Sequence, residues 1–380
     1  MDAEIKGQNQ IGIETKRFLT TSRGIDEPEG VRFDYAPLRN ASLRLKGFPS
    51  FIKHAMHFYG HYVKLLFWAD VVHWQYSSRF LPVDNRLRGL DFALLRLLKK
   101  PAIVQFHGSD FRNNLEWANV SPWWIEAFDE DFRRGLDEGS ARTQIEFAEA
   151  GFVFAMSYGM LPYVWPENES RTIVLERSVD VTSLAEDARD VESGDKTVIV
   201  HSPSNSKVKG TKYVIEAIDA ISKVRNVDFI LLEGLSREEV ISRLNEADIV
   251  IDQLLGENYG LASVEAMALG KATVANVGPA LRKLFPDTLP VIDANPDTIE
   301  EVLLDLIDNP RKRVEAARKG PEYAWIVHSI ETTAIEALDA YALAAKMRKR
   351  KKVTSRIEVA RDSAVSLMTQ TKEKLPFIGA

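Results

Sequence analysis

The sequence predicts an α/β protein in which two doubly wound domains face a cleft and a helical tail follows. Three observations carry this. Eight short apolar bursts alternate with helix-length segments, a chain of 380 residues exceeds what one core fills, and a polar stretch divides the bursts four and four.

In the first half the bursts are Val71-Val72-His73-Trp74, Ala102-Ile103-Val104-Gln105-Phe106, Phe152-Val153-Phe154-Ala155 and Thr172-Ile173-Val174-Leu175. In the second they are Thr197-Val198-Ile199-Val200, Phe229-Ile230-Leu231-Leu232, Ile249-Val250-Ile251 and Ala272-Thr273-Val274-Ala275. Such runs, apolar on both sides of the pleat and separated by helical stretches, read as strands of parallel sheets covered on both faces. Residues 180–196 hold Asp180, Glu186, Asp187, Asp190, Glu192, Gly194 and Asp195 and read as the linker. The expected domains are therefore 1–185 and 186–345, with a basic amphipathic tail over 346–380. Ligands of open α/β sheets bind beyond the carboxyl ends of the strands, so the cleft between the halves is the expected site.

Composition narrows the function. Lys and Arg total 49 against 55 Asp and Glu, a net charge of −6, which argues against a nucleic-acid partner held by bulk charge. With 45% hydrophobic residues the chain can fill two cores, and with no cysteine it has no disulfide, thiolate zinc site or cysteine nucleophile. The start, Met1-Asp2-Ala3-Glu4, lacks a basic then apolar leader, and no stretch approaches the roughly 18 apolar residues of a membrane span. A cytoplasmic protein is expected.

The tail opens with Lys346-Met347-Arg348-Lys349-Arg350-Lys351-Lys352, after which Ile357, Ala360, Ala364, Leu367 and Met368 recur at helical spacing. Two readings stay open: peripheral contact with an anionic membrane surface, or a helix that packs back on the protein.

The most informative segment runs from Glu257 through Asn258-Tyr259-Gly260-Leu261 to Glu265 and Gly270. It follows the Ile249–Ile251 strand, passes through a glycine-containing loop and becomes a helix that Gly270 is suited to close. Gly260 lets backbone approach a ligand, and the free amides of the helix start suit a diphosphate. A carboxylate such as Glu265 can accept two hydrogen bonds from a ribose diol.

Glu257 to Glu265 matches the E-x7-E signature of retaining GT-B enzymes, and the block resembles glycosyltransferase family 4, the group 1 glycosyltransferases. The stretch His201-Ser202-Pro203-Ser204-Asn205-Ser206-Lys207-Val208-Lys209-Gly210-Thr211 is similar to that family's strand, loop and Lys-Gly element. The resemblance implies two Rossmann-like domains, a nucleotide-sugar donor and no metal ion or other cofactor. It implies that Lys209 contacts the diphosphate together with Ser204, Asn205, Gly210 and the backbone of Tyr259, Gly260 and Leu261. It assigns Glu265 to the ribose and Glu257 to the sugar. One departure stands out: where many members carry an arginine six residues before the lysine, this chain has Pro203.

In the first half, His107-Gly108-Ser109-Asp110 resembles the His-Gly-x-Asp loop of the same family, at the end of a strand facing the cleft. The resemblance makes His107 catalytic, with Lys209 and Glu257, and gives Gly108 and Asp110 to positioning the sugar or acceptor. Met156-Ser157-Tyr158 and Leu175-Glu176-Arg177-Ser178-Val179-Asp180 also resemble the family, so the likeness reaches back to about residue 70. The family's opening glycine-rich loop has only Gly7 to Gly12 as a counterpart, without a P-loop ending. His54, His57 and His61 share one face of an expected helix, with no carboxylate pattern to mark a metal site, and packing or acceptor contact is the preferred reading.

The expected function is thus a retaining transfer of a sugar from a nucleotide sugar to an acceptor hydroxyl on a glycan, lipid-linked or small molecule. Two rivals share the motifs: an epimerase of the same fold, and a non-catalytic sugar-nucleotide or glycan-binding protein.

Overall fold

The computed structural model describes residues 2–16, 18–19, 31–32, 48–76, 89–108, 110–112, 121–127, 130–189, 196–256, 258–373 and 375. Its longer helices are α1 (Asp2–Gln10), α2 (Phe48–Trp68), α3 (Leu90–Leu97), α4 (Glu130–Ala150), α5 (Thr211–Ile221), α6 (Arg237–Glu246), α7 (Leu261–Ala268), α8 (Ile299–Asp308), α9 (Pro310–His328), α10 (Ile330–Met347) and α11 (Lys351–Lys372). After a two-residue parallel pair, β1 (Phe18–Leu19) with β2 (Val31–Arg32), the strands form two parallel sheets.

The first sheet has the order β3 (Val72–Gln75), β4 (Ala102–Gln105), β5 (Val153–Met156), β6 (Thr172–Val174). Both faces are buried, and the split follows the two-residue period of a strand. Phe152, Phe154 and Met156 join Val104, Phe106 and the helix residues Phe92 and Phe147 on one face, whereas Ile103, Val153 and Ala155 pack on the other against Ala334, Ala337, Leu338 and Tyr341. The aromatic face is dense, with ring centroids 4.4 Å apart for Phe106 and Phe111 and 4.7 Å for Phe92 and Phe147. Each such buried ring contributes about 1.5–3 kcal/mol of burial.

The second sheet has the order β11 (Ile292–Asp293), β10 (Ala272–Ala275), β9 (Ile249–Ile251), β7 (Thr197–His201), β8 (Val227–Leu231). The chain goes from β7 outward to β8, then returns to lay β9 on the other side of β7. The switch point of this sheet therefore lies between the carboxyl ends of β7 and β9, which is where doubly wound sheets hold ligands. All eight sequence-predicted strands are present within two residues of the expected positions, and the α/β architecture of two Rossmann-like lobes is the one observed. Among the described residues, only the short β11 and the β1–β2 pair were not foreseen.

The chain crosses between the lobes twice. The first crossing follows β6 through Leu175–Asp180, and the second is the joint between α9 and α10. The two are clamped together, with Val179 N–H donating to the His328 carbonyl at 2.8 Å and Val179 paired to Ser329. Beyond the second crossing α10 lies on the first sheet, against β4, β5 and β6, although its sequence position follows the second lobe. α1 packs on α10, where a Cβ on Gly7 would come within 2.4 Å of the Ile330 carbonyl oxygen. The Gly7 to Gly12 stretch is thus largely helix and its end, not a phosphate loop.

α11 packs on α10, burying Ile357 and Ala364, with Ala360 and Leu367 against the same cluster and Met368 against the core of the second lobe. The apolar stripe that suggested a membrane face is occupied by the protein itself. No helix among the described residues is long and apolar enough to cross a membrane.

Candidate functional site

A cleft of about 410 Å³ opens between the two lobes, lined from the first by His107, Gly108, Arg112, Trp124 and Ser157, and from the second by Ser204, Asn205, Lys209, Gln253, Asn258 and Gly260. The crossings contribute Glu176, Arg177 and His328. The first-lobe wall comes from the carboxyl ends of β4 and β5, and the second-lobe wall from those of β7 and β9.

Sequence-local packing places Lys209. The Asn205 side chain caps a one-turn helix over Ser206–Lys209 by accepting from Val208 N–H at 3.1 Å, and Gly210 then turns left-handed with φ 79°. A Cβ there would press on Leu255 at 3.1 Å. The Lys209 carbonyl accepts from Leu254 N–H at 3.0 Å, tying the loops after β7 and β9 together. His201 fastens the same corner. Its Nδ1 lies 2.8 Å from the Ile251 carbonyl and its Nε2 2.9 Å from Thr211 Oγ1, so a neutral ring donates to the one and accepts from the other. Burial holds His201 below its ordinary pKa.

At the cleft floor the Lys209 ammonium lies 2.6 Å from Asp252 and 3.0 Å from Gln253 Oε1. Asp252 also accepts from Ser263 Oγ at 2.8 Å and from Gly260 N–H. Burial pushes the Asp252 carboxyl upward, but the Lys209 charge and these hydrogen bonds outweigh it and hold the group below its usual range. A carboxylate therefore sits at the start of α7, between an ammonium and the helix amides, a setting that suits an anion. Gly260 has an extended backbone, φ −103°, so its need for glycine is one of space: a Cβ would lie 2.8 Å from both Asp252 Oδ2 and Lys209 Nζ. The helix closes with Gly270 at φ 66°, where the sequence placed its end.

Tyr259 is among the residues that line the cleft. Its side chain is buried, with the hydroxyl 3.0 Å from that of Tyr323 and 2.9 Å from His328 Nε2. Glu265 is buried one turn into α7, 3.0 Å from the half-exposed Arg237 guanidinium. Burial raises its pKa and Arg237 opposes the rise. Leu261 opens the helix and is partly exposed. Glu257 and Ser109 lie outside the described residues.

Across the cleft, the Asp110 carboxylate accepts from the amides of Gly108 at 2.8 Å and His107 at 3.0 Å, folding the loop around a glycine with φ 151°. Arg177 donates to the His107 carbonyl at 2.7 Å. The His107 ring is tilted over Tyr76, centroids 4.2 Å apart, and its Nε2 lies 2.7 Å from Gln75 Oε1. Burial, and then the charge of Arg177, lower its pKa to about 3, so the imidazole is neutral across the physiological range.

His107, Gly108, Ser204, Asn205, Lys209, Tyr259 and Gly260 thus meet on one cleft, whereas Gly210, Asp110, Leu261 and Glu265 are not part of its lining. Sequence reasoning missed Asp252 and Gln253, although a polar pair directly after the apolar run Ile249–Ile251 was a usable signal. It also missed Arg112 and Arg177, cations on the cleft wall that reach it from the first lobe and from a crossing. Of the three spaced histidines, His61 is partly buried in α2, and the side chains of His54 and His57 lie outside the described residues.

The crossings hold a buried acid pair. Glu176 N–H donates to Glu336 at 2.9 Å, while the Glu176 carboxylate accepts from Tyr158 N–H at 2.8 Å. Burial pushes Glu176 up to about 7; burial and the neighbouring Glu176 push Glu336 up to about 8. Both groups hold more protons folded than unfolded above the ordinary carboxylate pKa, so stability falls as pH rises through their folded values. The buried histidines His107 and His328, held near 3 and 4, act in the opposite sense but only below about 6.5. The melting temperature is therefore expected to fall between about pH 6.5 and 8.5, and Glu336→Gln to remove much of the fall. An unchanged slope in the variant would show that the pair is not the source.

Residues 225–323 match the model of the family described as glycosyl transferases group 1. The match lies wholly within the second lobe. It spans β8 to most of α9 and includes Asp252, Gly260 and Glu265. By sequence no curated protein matches.

Among solved structures, the chain is similar to sucrose-phosphate synthase from Thermosynechococcus elongatus, at 12% identity over 88% of this chain and 90% of that one, with a TM-score of 0.53. It is similar to a glycosyltransferase from Rickettsia africae ESF-5, at 12% identity over 83% and 86%, also with 0.53. The N-terminal domain of trehalose-6-phosphate phosphatase from Candida albicans is similar at 12% identity over 80% and 76%, with 0.50. At such identities the likeness is one of fold, the two-lobed GT-B architecture.

Proposed function

We propose that the cleft binds a nucleotide-activated sugar and transfers its glycosyl group, with retained anomeric configuration, to an acceptor hydroxyl. The observation that carries this reading is the convergence on one cleft of the Lys209 ammonium, the amide-rich start of α7 and a neutral histidine from the opposite lobe. Lys209 and the α7 amides at Gly260 and Leu261 take the diphosphate, and the charge that builds on it as the glycosidic bond breaks is stabilised there. Arg177, on the cleft wall, offers the second cation that Pro203 does not supply. Ser204 and Asn205 frame the same pocket, and Glu265, poised by Arg237, takes the ribose hydroxyls. For Glu257 the family resemblance alone assigns the sugar.

From the first lobe, His107 meets the sugar or the acceptor hydroxyl, and Gly108 and Asp110 set the loop that presents it. Lobe closure supplies proximity, and the departing phosphate takes the acceptor proton on the same face. No metal is assigned a role, because Lys209, Arg177 and the helix start can balance the diphosphate charge. We take the domains to be 1–185 and 186–345 with the tail 346–380, α10 serving as the strap that returns to the first lobe.

A thermal-shift panel of UDP, GDP, ADP and their common sugar conjugates tests the donor site, since a ligand that binds only the folded state raises the melting temperature. A shift selective for one nucleoside diphosphate is expected. Absence of a shift with every member would remove the donor assignment.

A further inference from the structure

We infer that Gln75, oriented by Glu4 and His73, is a positioning residue that fixes His107 as its Nε2–H tautomer, so that the ring meets substrate as a hydrogen-bond acceptor. The catalytic use of that tautomer rests on the function proposed above; the tautomer itself does not.

His107 Nε2 lies 2.7 Å from Gln75 Oε1. Which way the Gln75 amide faces decides which tautomer this contact selects, and its other end settles the matter. The Gln75 amide nitrogen is surrounded by acceptors: Glu4 Oε2 at 3.2 Å, Gln105 Oε1 at 3.1 Å and His73 Nε2 at 3.2 Å. A flipped amide would set its oxygen against a carboxylate oxygen, two acceptors with no proton between them. Gln75 Oε1 therefore faces His107 and can only accept, and the His107 Nε2 must carry the proton.

The far end of the chain is equally constrained. His73 Nδ1 lies 2.9 Å from Glu4 Oε1, so the carboxylate holds the proton on His73 Nδ1 and leaves His73 Nε2 as the acceptor that Gln75 meets. Glu4 is itself buried and anchored. Burial raises its pKa, but His73 outweighs that and holds it low, so an acceptor-only anion stands at the head of the relay. The Tyr341 hydroxyl, from α10, packs the same end, 3.0 Å from His73 Nδ1 and accepting from Gln8 Nε2 of α1 at 2.7 Å. With Nε2–H committed to Gln75, the remaining ring nitrogen of His107, Nδ1, carries a lone pair. A neutral ring so held accepts a hydrogen bond from a sugar or acceptor hydroxyl and does not donate one.

Nitrogen-15 spectroscopy of the full chain reads the tautomer without any substrate. The imidazole signals of His107, identified by their loss in His107→Ala, are expected to report a single Nε2–H form from pH 6 to 8. Gln75→Leu, which removes the acceptor, is expected to lose that single form and give a mixture. Glu4→Gln, nearly isosteric, lets an amide face Gln75 and is expected to shift His107 partway in the same direction; it also decides the matter if Gln75→Leu does not fold. Unchanged signals of the buried His201 and His328 mark an intact fold. An Nδ1–H or doubly protonated ring in the wild type, or an unchanged Nε2–H form in the folded variants, would overturn the inference. Either result leaves the nucleotide-binding test independent.

Discussion

Lys209→Met is expected to weaken nucleoside diphosphate binding by about 100-fold or more and to lower the melting temperature as well. The first effect follows from losing a charge-assisted contact in a desolvated cleft, where truncating one partner costs about 2–5 kcal/mol. The second follows from the ion pair in the ligand-free protein. Lys209 is mostly buried and Asp252 wholly so, and removing one member of a buried pair costs about 3–5 kcal/mol because the other charge is stranded.

Two further variants separate binding from folding. Asp252→Asn keeps an acceptor for Gly260 and Ser263 and frees the ammonium, so diphosphate binding should hold or tighten. The double variant should recover stability relative to Lys209→Met alone while diphosphate binding stays lost. Calorimetry with UDP, GDP and ADP alongside thermal melts checks all three. If Lys209→Met loses stability but binds the diphosphate as well as wild type does, Lys209 is a structural partner of Asp252 and nothing more.

Gly320→Ala is expected to destabilise the second lobe by about 1–3 kcal/mol, toward the upper end. Gly320 lies on α9 against α7, and a Cβ there would stand 2.6 Å from the Met267 carbonyl oxygen and 3.0 Å from Met267 Cα. Two effects compete. Alanine improves helix propensity by about 1 kcal/mol, but the obstacle is backbone that cannot rotate away, so the clash wins. Because α7 carries Gly260 at its start and Glu265 within, pushing it aside should also weaken nucleotide binding. A lower melting temperature with weaker binding is the expected pair. A higher melting temperature would mean that the helices part without cost.

How much of this was legible in the sequence depended on whether the signal was local. The parallel strands announced themselves because both faces are buried and each reads as an apolar run; Phe152 to Met156 divides cleanly between the two faces. The helix from Leu261 was bounded by its own glycines. β11 escaped because two residues, Ile292 and Asp293, make no pattern.

What the sequence hid is what only the fold joins. α10 is rich in alanine and reads as any amphipathic helix, and nothing in its own residues says which lobe it covers. Arg177 could not be recognised as a cleft cation until the crossing was seen to run along the cleft. Asp252 looked like the end of a strand, and its contact with Lys209 spans 43 residues. The relay from Glu4 through His73 and Gln75 to His107 draws on α1, β3 and the loop after β4. The tail's periodicity was read correctly, but periodicity names an apolar face without naming its partner, so two readings stayed open until the fold showed the helix packed back on α10.

The most direct test of the central claim is nucleoside diphosphate release from a panel of nucleotide sugars with mixed hydroxyl acceptors, run on wild type and on His107→Ala, with the anomeric configuration of the product read by proton spectroscopy. The account expects one nucleotide sugar to be consumed, a product with the donor's configuration, and turnover at least about 100-fold lower in His107→Ala, with diphosphate binding unaltered. Tight nucleotide-sugar binding with no release under any acceptor, or equal release by His107→Ala, would contradict it and leave a sugar-nucleotide-binding protein in the first case and a different catalytic group in the second.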